Sequence, residues 1–130
     1  MTKQRSVRIL GLAAILACVA AIFVPSGWWV AYGSGGVESV WSISKLAAVI
    51  SLAISVAIAS VPLLSTAAWR WRVPGGFGLL VIAGCVAMAV HCFYAYSHGN
   101  AGFHPIGIVV AAVAGALLLA EGLLARPRHA

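Results

Sequence analysis

Four apolar runs account for most of this chain. They cover residues 9–24, 43–68, 77–96 and 106–125, separated by stretches that carry the glycines, prolines, tryptophans and basic residues of the connections. A hydrocarbon core of ~30 Å takes about 20 helical residues at ~1.5 Å each. The first run, from Ile9 to Val24, is short for a crossing, and Val7 with a snorkelling Arg8 extends it. The second exceeds the core, so tilt or a kink is expected, with Pro62 as the kink.

The polar complement excludes a water-soluble domain. Of 130 residues, 63% are hydrophobic and 8% charged, where a soluble domain carries about 25% charged. The only acids are Glu38 and Glu121. The predicted fold is therefore all-α, a single domain forming an antiparallel four-helix transmembrane bundle in a lipid bilayer. The basic n-region and apolar run at the start have the look of a signal peptide, but no small-x-small cleavage site follows, so this run is expected to stay as the first span.

Between the runs the sequence reads as follows. Pro25, Ser26 and Gly27 stop the first run, and WWVAYGSGGVESVWS reads as a loop at headgroup level. WRWRVPGG reads as a tight turn, with Arg70, Arg72, Pro74, Gly75 and Gly76. SHGNAGFHP is the third connection, with Pro105 suited to a helix start. Lys3, Arg5, Arg8, Arg70, Arg72, Arg126 and Arg128 fall on one side of a four-span layout, and only Lys45 falls on the other. The positive-inside rule then puts both termini in the cytoplasm. The Ala-rich composition resembles that of bacteria with GC-rich DNA, so the expected location is the bacterial cytoplasmic (inner) membrane. The net charge of +6 is explained by topology and anionic headgroups, and no nucleic-acid partner is expected.

Helices in lipid associate through close packing and interhelical hydrogen bonds. Small residues recur at four-residue spacing: Gly107, Ala111 and Gly115 in the fourth run, Ser51 and Ser55 in the second, Gly76 and Gly84 in the third. They are read as seams within the bundle; the alternative is a channel lining or a dimer face. The serines are expected to bond to carbonyls four residues back. Cys18, Cys85 and Cys92 form no CxxC pair and read as small buried hydrophobes.

Ionisable side chains within a span are functional candidates by default. His91 lies in the third run, ~21 Å along its axis, with His98 seven residues on and His104 near the start of the fourth run. These three histidines are a candidate metal or haem site near the outer leaflet. The plainer reading is one buried neutral histidine and two interfacial ones, and no cofactor is favoured. Lys45 and Glu38 read as an interfacial anchor pair, or else an ion or substrate site. Glu121 lies one turn from the end of the fourth run. It is expected to snorkel outward and pair with Arg70, Arg72 or Arg126. The alternative is a proton-linked gate, for which it looks too shallow.

Trp28 and Trp29, with Trp69 and Trp71, read as interfacial belts, and Trp28, Trp29 and Tyr32 are the candidates for docking a partner. No Ser–His–acid set, nucleotide loop or carboxylate pair occurs, so no enzyme activity is expected. Nor is there any charge between Arg8 and Glu38, which removes the first-span acid of small multidrug exporters. The expectation is a non-enzymatic accessory, assembly or protective subunit acting through contacts with other membrane proteins or with itself. The alternatives are an oligomeric channel or small-solute or ion transporter, and a metal- or haem-binding protein.

Overall fold

A computed structural model describes residues 2–24, 41, 44–65, 67–97 and 106–126. Within them the regular structure is helical: α1 (Thr2–Phe23), α2 (Lys45–Leu64), α3 (Arg72–Ser97) and α4 (Ile106–Ala125), with a 3-10 helix (Ala68–Trp71) leading into α3. Four helices are long and apolar enough to cross a membrane. In such a setting a helix satisfies its own backbone, which no irregular segment exposed to lipid does.

Three boundaries differ from the pattern of apolar runs. α1 begins at Thr2, so the basic head is two further helical turns. Their inner side packs: Val7 is 1% exposed while Arg5 and Arg8 face outward. α2 ends at Leu64, two residues after Pro62, and Ser65 N donates back to Val61 O. Pro62 lacks the N–H that would bond the carbonyl four residues back, which weakens this last stretch of the helix. α3 begins at Arg72, so Pro74, Gly75 and Gly76 are its first turn and not a free turn before it. Proline costs nothing there, because the first N–H groups of a helix have no intrahelical acceptor.

The distribution of large and small residues is compatible with a lipid-facing bundle. Leu16, Leu46 and Leu80 are 70%, 72% and 72% exposed. The core is built mainly of small side chains, Ala14, Cys18, Ala59 and Ala114, closed by Leu118. In a lipid setting nothing is gained by hiding leucine, and the interior can go to residues that let backbones approach.

α4 is the pivot. It packs most extensively on α3 and then on α1; α1 also holds α2, and α2 touches α3 and α4 only lightly. The α3–α4 seam is made by glycines. A Cβ on Gly122 would stand 2.6 Å from Gly75 N and 2.7 Å from Trp71 O. One on Gly78 would stand 2.5 Å from Gly115 O. Gly115 itself is buried against Val81 and Ile82, and Gly107 is buried too. Gly76 and Gly84 take no part, since a Cβ at either meets nothing within 4 Å. The packed stripe of α3 is Gly75, Gly78 and Ile82, at i, i+3 and i+7; Gly76 lies about 100° round from it. Gly84→Ala is therefore expected to be neutral or to stabilise by ~0.5–1 kcal/mol through helix propensity, read from denaturant unfolding in detergent.

The helix ends are held by cations and aromatics. Lys3 Nζ donates to Arg126 O at 2.9 Å, tying the start of α1 to the end of α4. Arg70 donates to Pro62 O at 3.0 Å and to Ser65 O at 2.8 Å, capping the end of α2. Cations suit these positions, where unsatisfied carbonyls gather. The Trp71 ring lies 5.1 Å from the Arg126 guanidinium and 5.6 Å from that of Arg72. At the other end Ser44 Oγ accepts from Ala47 N as the N-cap of α2.

Candidate functional site

Along α4 the buried positions include Ala114, Leu118, Glu121 and Ala125. Their spacing of four, three and four puts them on one stripe, aimed into the bundle. α1 turns a matching stripe toward it: Val7, Gly11, Ala14 and Cys18, all buried. Glu121 thus meets Gly11. A Cβ at Gly11 would stand 2.6 Å from Glu121 Oε2 and 3.5 Å from Ala59 O, so the glycine leaves the room that the carboxyl group fills.

Glu121 is 0% exposed, the only buried charged side chain among the described residues. Neither carboxyl oxygen has a hydrogen-bond partner there. This corrects the expectation that Glu121 snorkels and pairs with an arginine. The cause is the helical head of α1. Gly11 is nine residues past Thr2, so α1 continues ~13 Å beyond the level of the carboxyl group, while α4 itself ends at Ala125. Arg70 is instead engaged with the carbonyls of α2. A lone ionised carboxylate so placed costs on the order of several kcal/mol, so a fold that keeps one needs a compensating proton or cation.

Two cavities approach this group from opposite directions along α4. One is a crevice of about 130 Å3, lined by residues of all four helices, among them Cys18, Ser51, Ser55, Phe77, Val81 and Leu118. The other is a pocket of about 500 Å3, lined by Lys3, Gln4, Arg70 and Ala125 among others. Leu118 precedes Glu121 by one turn and Ala125 follows it by one turn. In residue order along α4, Glu121 therefore lies between the two cavities and lines neither, with Leu118 fully buried on one side of it and Ala125 2% exposed on the other.

No protein-family model matches this chain, and no curated protein or solved structure matches it.

The remaining candidates are placed as follows. Ser55 Oγ donates to Ser51 O at 2.8 Å and Ser60 Oγ to Val56 O at 2.7 Å, so both hydroxyls donate within their own helix, and Ser55 also meets the Cys18 thiol of α1. Ser51, Ser55 and Ala111 nonetheless line the crevice. Lys45 is exposed, with its ammonium 5.7 Å from the Trp41 ring centroid; that ring in turn lies 5.3 Å from Phe23 and joins α2 to the end of α1. His91 is exposed on the outside of α3, in contrast to the buried histidine of the plainer reading, with Phe93 and Tyr94 beside it. Among the described residues no three His, Cys, Asp or Glu side chains come together. His98, His104, Glu38, Trp28, Trp29 and Tyr32 lie outside the described residues.

The enclosure of Glu121 was not evident from the sequence. Its signal was the helical phase of α4: Ala111, Gly115, Leu118 and Gly122 flank the acid on the same side as the small residues, which marks that side as the packed one.

Proposed function

We propose that this chain is a non-enzymatic, multi-pass protein of the bacterial cytoplasmic membrane. In this reading it moves a proton or a small cationic solute, and Glu121 is the group that takes up and releases the charge. The observation that carries the reading is a carboxyl group fully enclosed between two cavities, with no partner among the described residues. Carboxylates inside membrane bundles typically face an interior path and mark ion or proton routes. The geometry favours this over a purely contact-based role, because a contact-based bundle gains nothing from an unpaired acid in its core.

The reading uses an antiparallel bundle with both termini in the cytoplasm. Opposite residue order along the seam supports it, since Gly75 approaches Gly122 while Gly78 approaches Gly115. The bond from Lys3 to Arg126 O and the charge asymmetry support it as well. Charge reaches Glu121 from the crevice past Leu118 and leaves past Ala125 toward the pocket lined by Lys3 and Arg70. α2, lightly held by α3 and α4, is the helix whose displacement opens the way.

Purified protein in liposomes loaded with a pH-sensitive dye tests this. Proton or monovalent-cation flux above that of empty liposomes is expected under an imposed gradient. Flux at the empty-liposome level for protons and for every cation tried removes the reading. Gly11→Ala gives an intermediate result: the new methyl meets the tip of a flexible side chain, so the fold survives, but the carboxyl group is displaced and flux falls.

A second reading, association with another membrane protein or a second copy, is favoured by the outward face of α3. Gly76 and Gly84 have open space before them, and His91 lies exposed farther along the helix. Crosslinking in native membranes followed by mass spectrometry tests it, and a chain recovered only as a monomer counts against it.

A further inference from the structure

The pocket beside Ala125 has features that transport of a cation does not use. Lys3, Gln4, Ser65 and Arg70 supply its polar wall, and Leu63 and Leu64 its apolar one. At about 500 Å3 it is of a size that holds small ligands. Both cations are anchored by helix-terminal carbonyls and retain unused donors. Arg70 spends Nη1 on Pro62 O and Ser65 O, which leaves Nε–H and the Nη2 group unpartnered among the described residues. Lys3 spends one of its three N–H bonds on Arg126 O.

Among the described residues no acid neutralises them. The sequence has two acidic side chains, and Glu121, the one among the described residues, is buried with no hydrogen-bond partner there. The cations thus present a preorganised fork and an ammonium to an anion, an arrangement suited to phosphate. The apolar wall decides which kind of phosphate. Leu64 is 85% exposed at the rim, where a soluble ion would gain nothing from it and an acyl chain would lie along it.

We propose that the Lys3–Arg70 pocket binds the phosphate of an anionic phospholipid, with the acyl chains leaving over Leu64. Basic pockets among helix ends at a membrane surface hold such headgroups. The site shares its pocket with the exit of the transport reading, but it requires neither flux nor Glu121, so either can fail without the other.

Native mass spectrometry of the full chain, released from mixed micelles containing equal phosphatidylglycerol and phosphatidylcholine, reads the site. One phosphatidylglycerol retained in preference to phosphatidylcholine is expected. Lys3→Gln with Arg70→Gln should lower that retention by roughly tenfold or more, at about 1 kcal/mol per cation. Lys3→Arg, which keeps charge and fold, should retain the lipid. Arg5→Gln, an exposed cation outside the pocket, should also retain it. Equal retention of the two lipids overturns the proposal, as does a loss in Arg5→Gln equal to that in the double variant. A third arm adds inorganic phosphate. Failure to displace the lipid supports a lipid site, and displacement by free phosphate at equal affinity overturns the lipid assignment.

Discussion

Gly122→Leu leaves α3 and α4 unable to close on each other, and the protein loses its packed core. A single Cβ at this position already stands 2.6 Å from Gly75 N, 2.7 Å from Gly75 Cα and 2.7 Å from Trp71 O, all of them backbone atoms that no rotamer change can move. Gly122→Ala is expected to cost about 1–3 kcal/mol, the usual range for overpacking. Leucine adds three more carbons in the same direction, and the helices must separate. Separate helices in detergent stay helical, so circular dichroism is a poor witness. Cys18 is a better one: it is 8% exposed, in the cluster with Ala14, Ala59, Ala114 and Leu118. A maleimide should label Cys18 slowly in the wild type and rapidly in Gly122→Leu. Gly84→Leu, made on an open face, should keep the wild-type rate.

Glu121→Gln is expected to abolish flux and spare the fold. Glutamine has the shape of the carboxyl group and fits the space before Gly11, but it neither carries charge nor exchanges a proton. Removing an unpaired ionisable group from a buried site also removes its desolvation cost, so the variant should unfold no earlier than the wild type in denaturant. Liposomes should then show flux at the level of empty vesicles. A Gln variant that transports at the wild-type rate would remove Glu121 from the mechanism.

The four helices were legible because their signal is composition over length, and little competes with it. Helix ends were less so. The first apolar run opens at Ile9, with Val7 and Arg8 as its extension, because Lys3 and Arg5 are polar, yet polarity decides which medium surrounds a turn, not whether the turn is helical. The same confusion made a loop of Pro74, Gly75 and Gly76. Glycine there serves close approach to Gly122 and not chain reversal. The site was misjudged for a related reason. Distance from the end of a run measured the depth of Glu121, whereas its burial depends on how far the neighbouring helix continues. Its counterpart Gly11 carried no signal by itself, since an isolated glycine in an apolar run has many explanations. The serine bonds within α2 followed directly from sequence spacing, because an i−4 carbonyl is always within reach of a helical serine.

The central claim is that the Glu121 carboxyl group is shut inside the folded bundle, and its reactivity measures this directly. A water-soluble carbodiimide with an amine labels carboxyl groups that water reaches, and mass spectrometry of the peptide carrying Glu121 reads the extent. Glu121 is expected to resist labelling in mild detergent and to be labelled readily once dodecyl sulfate separates the helices. Equal labelling rates in the two states would contradict it.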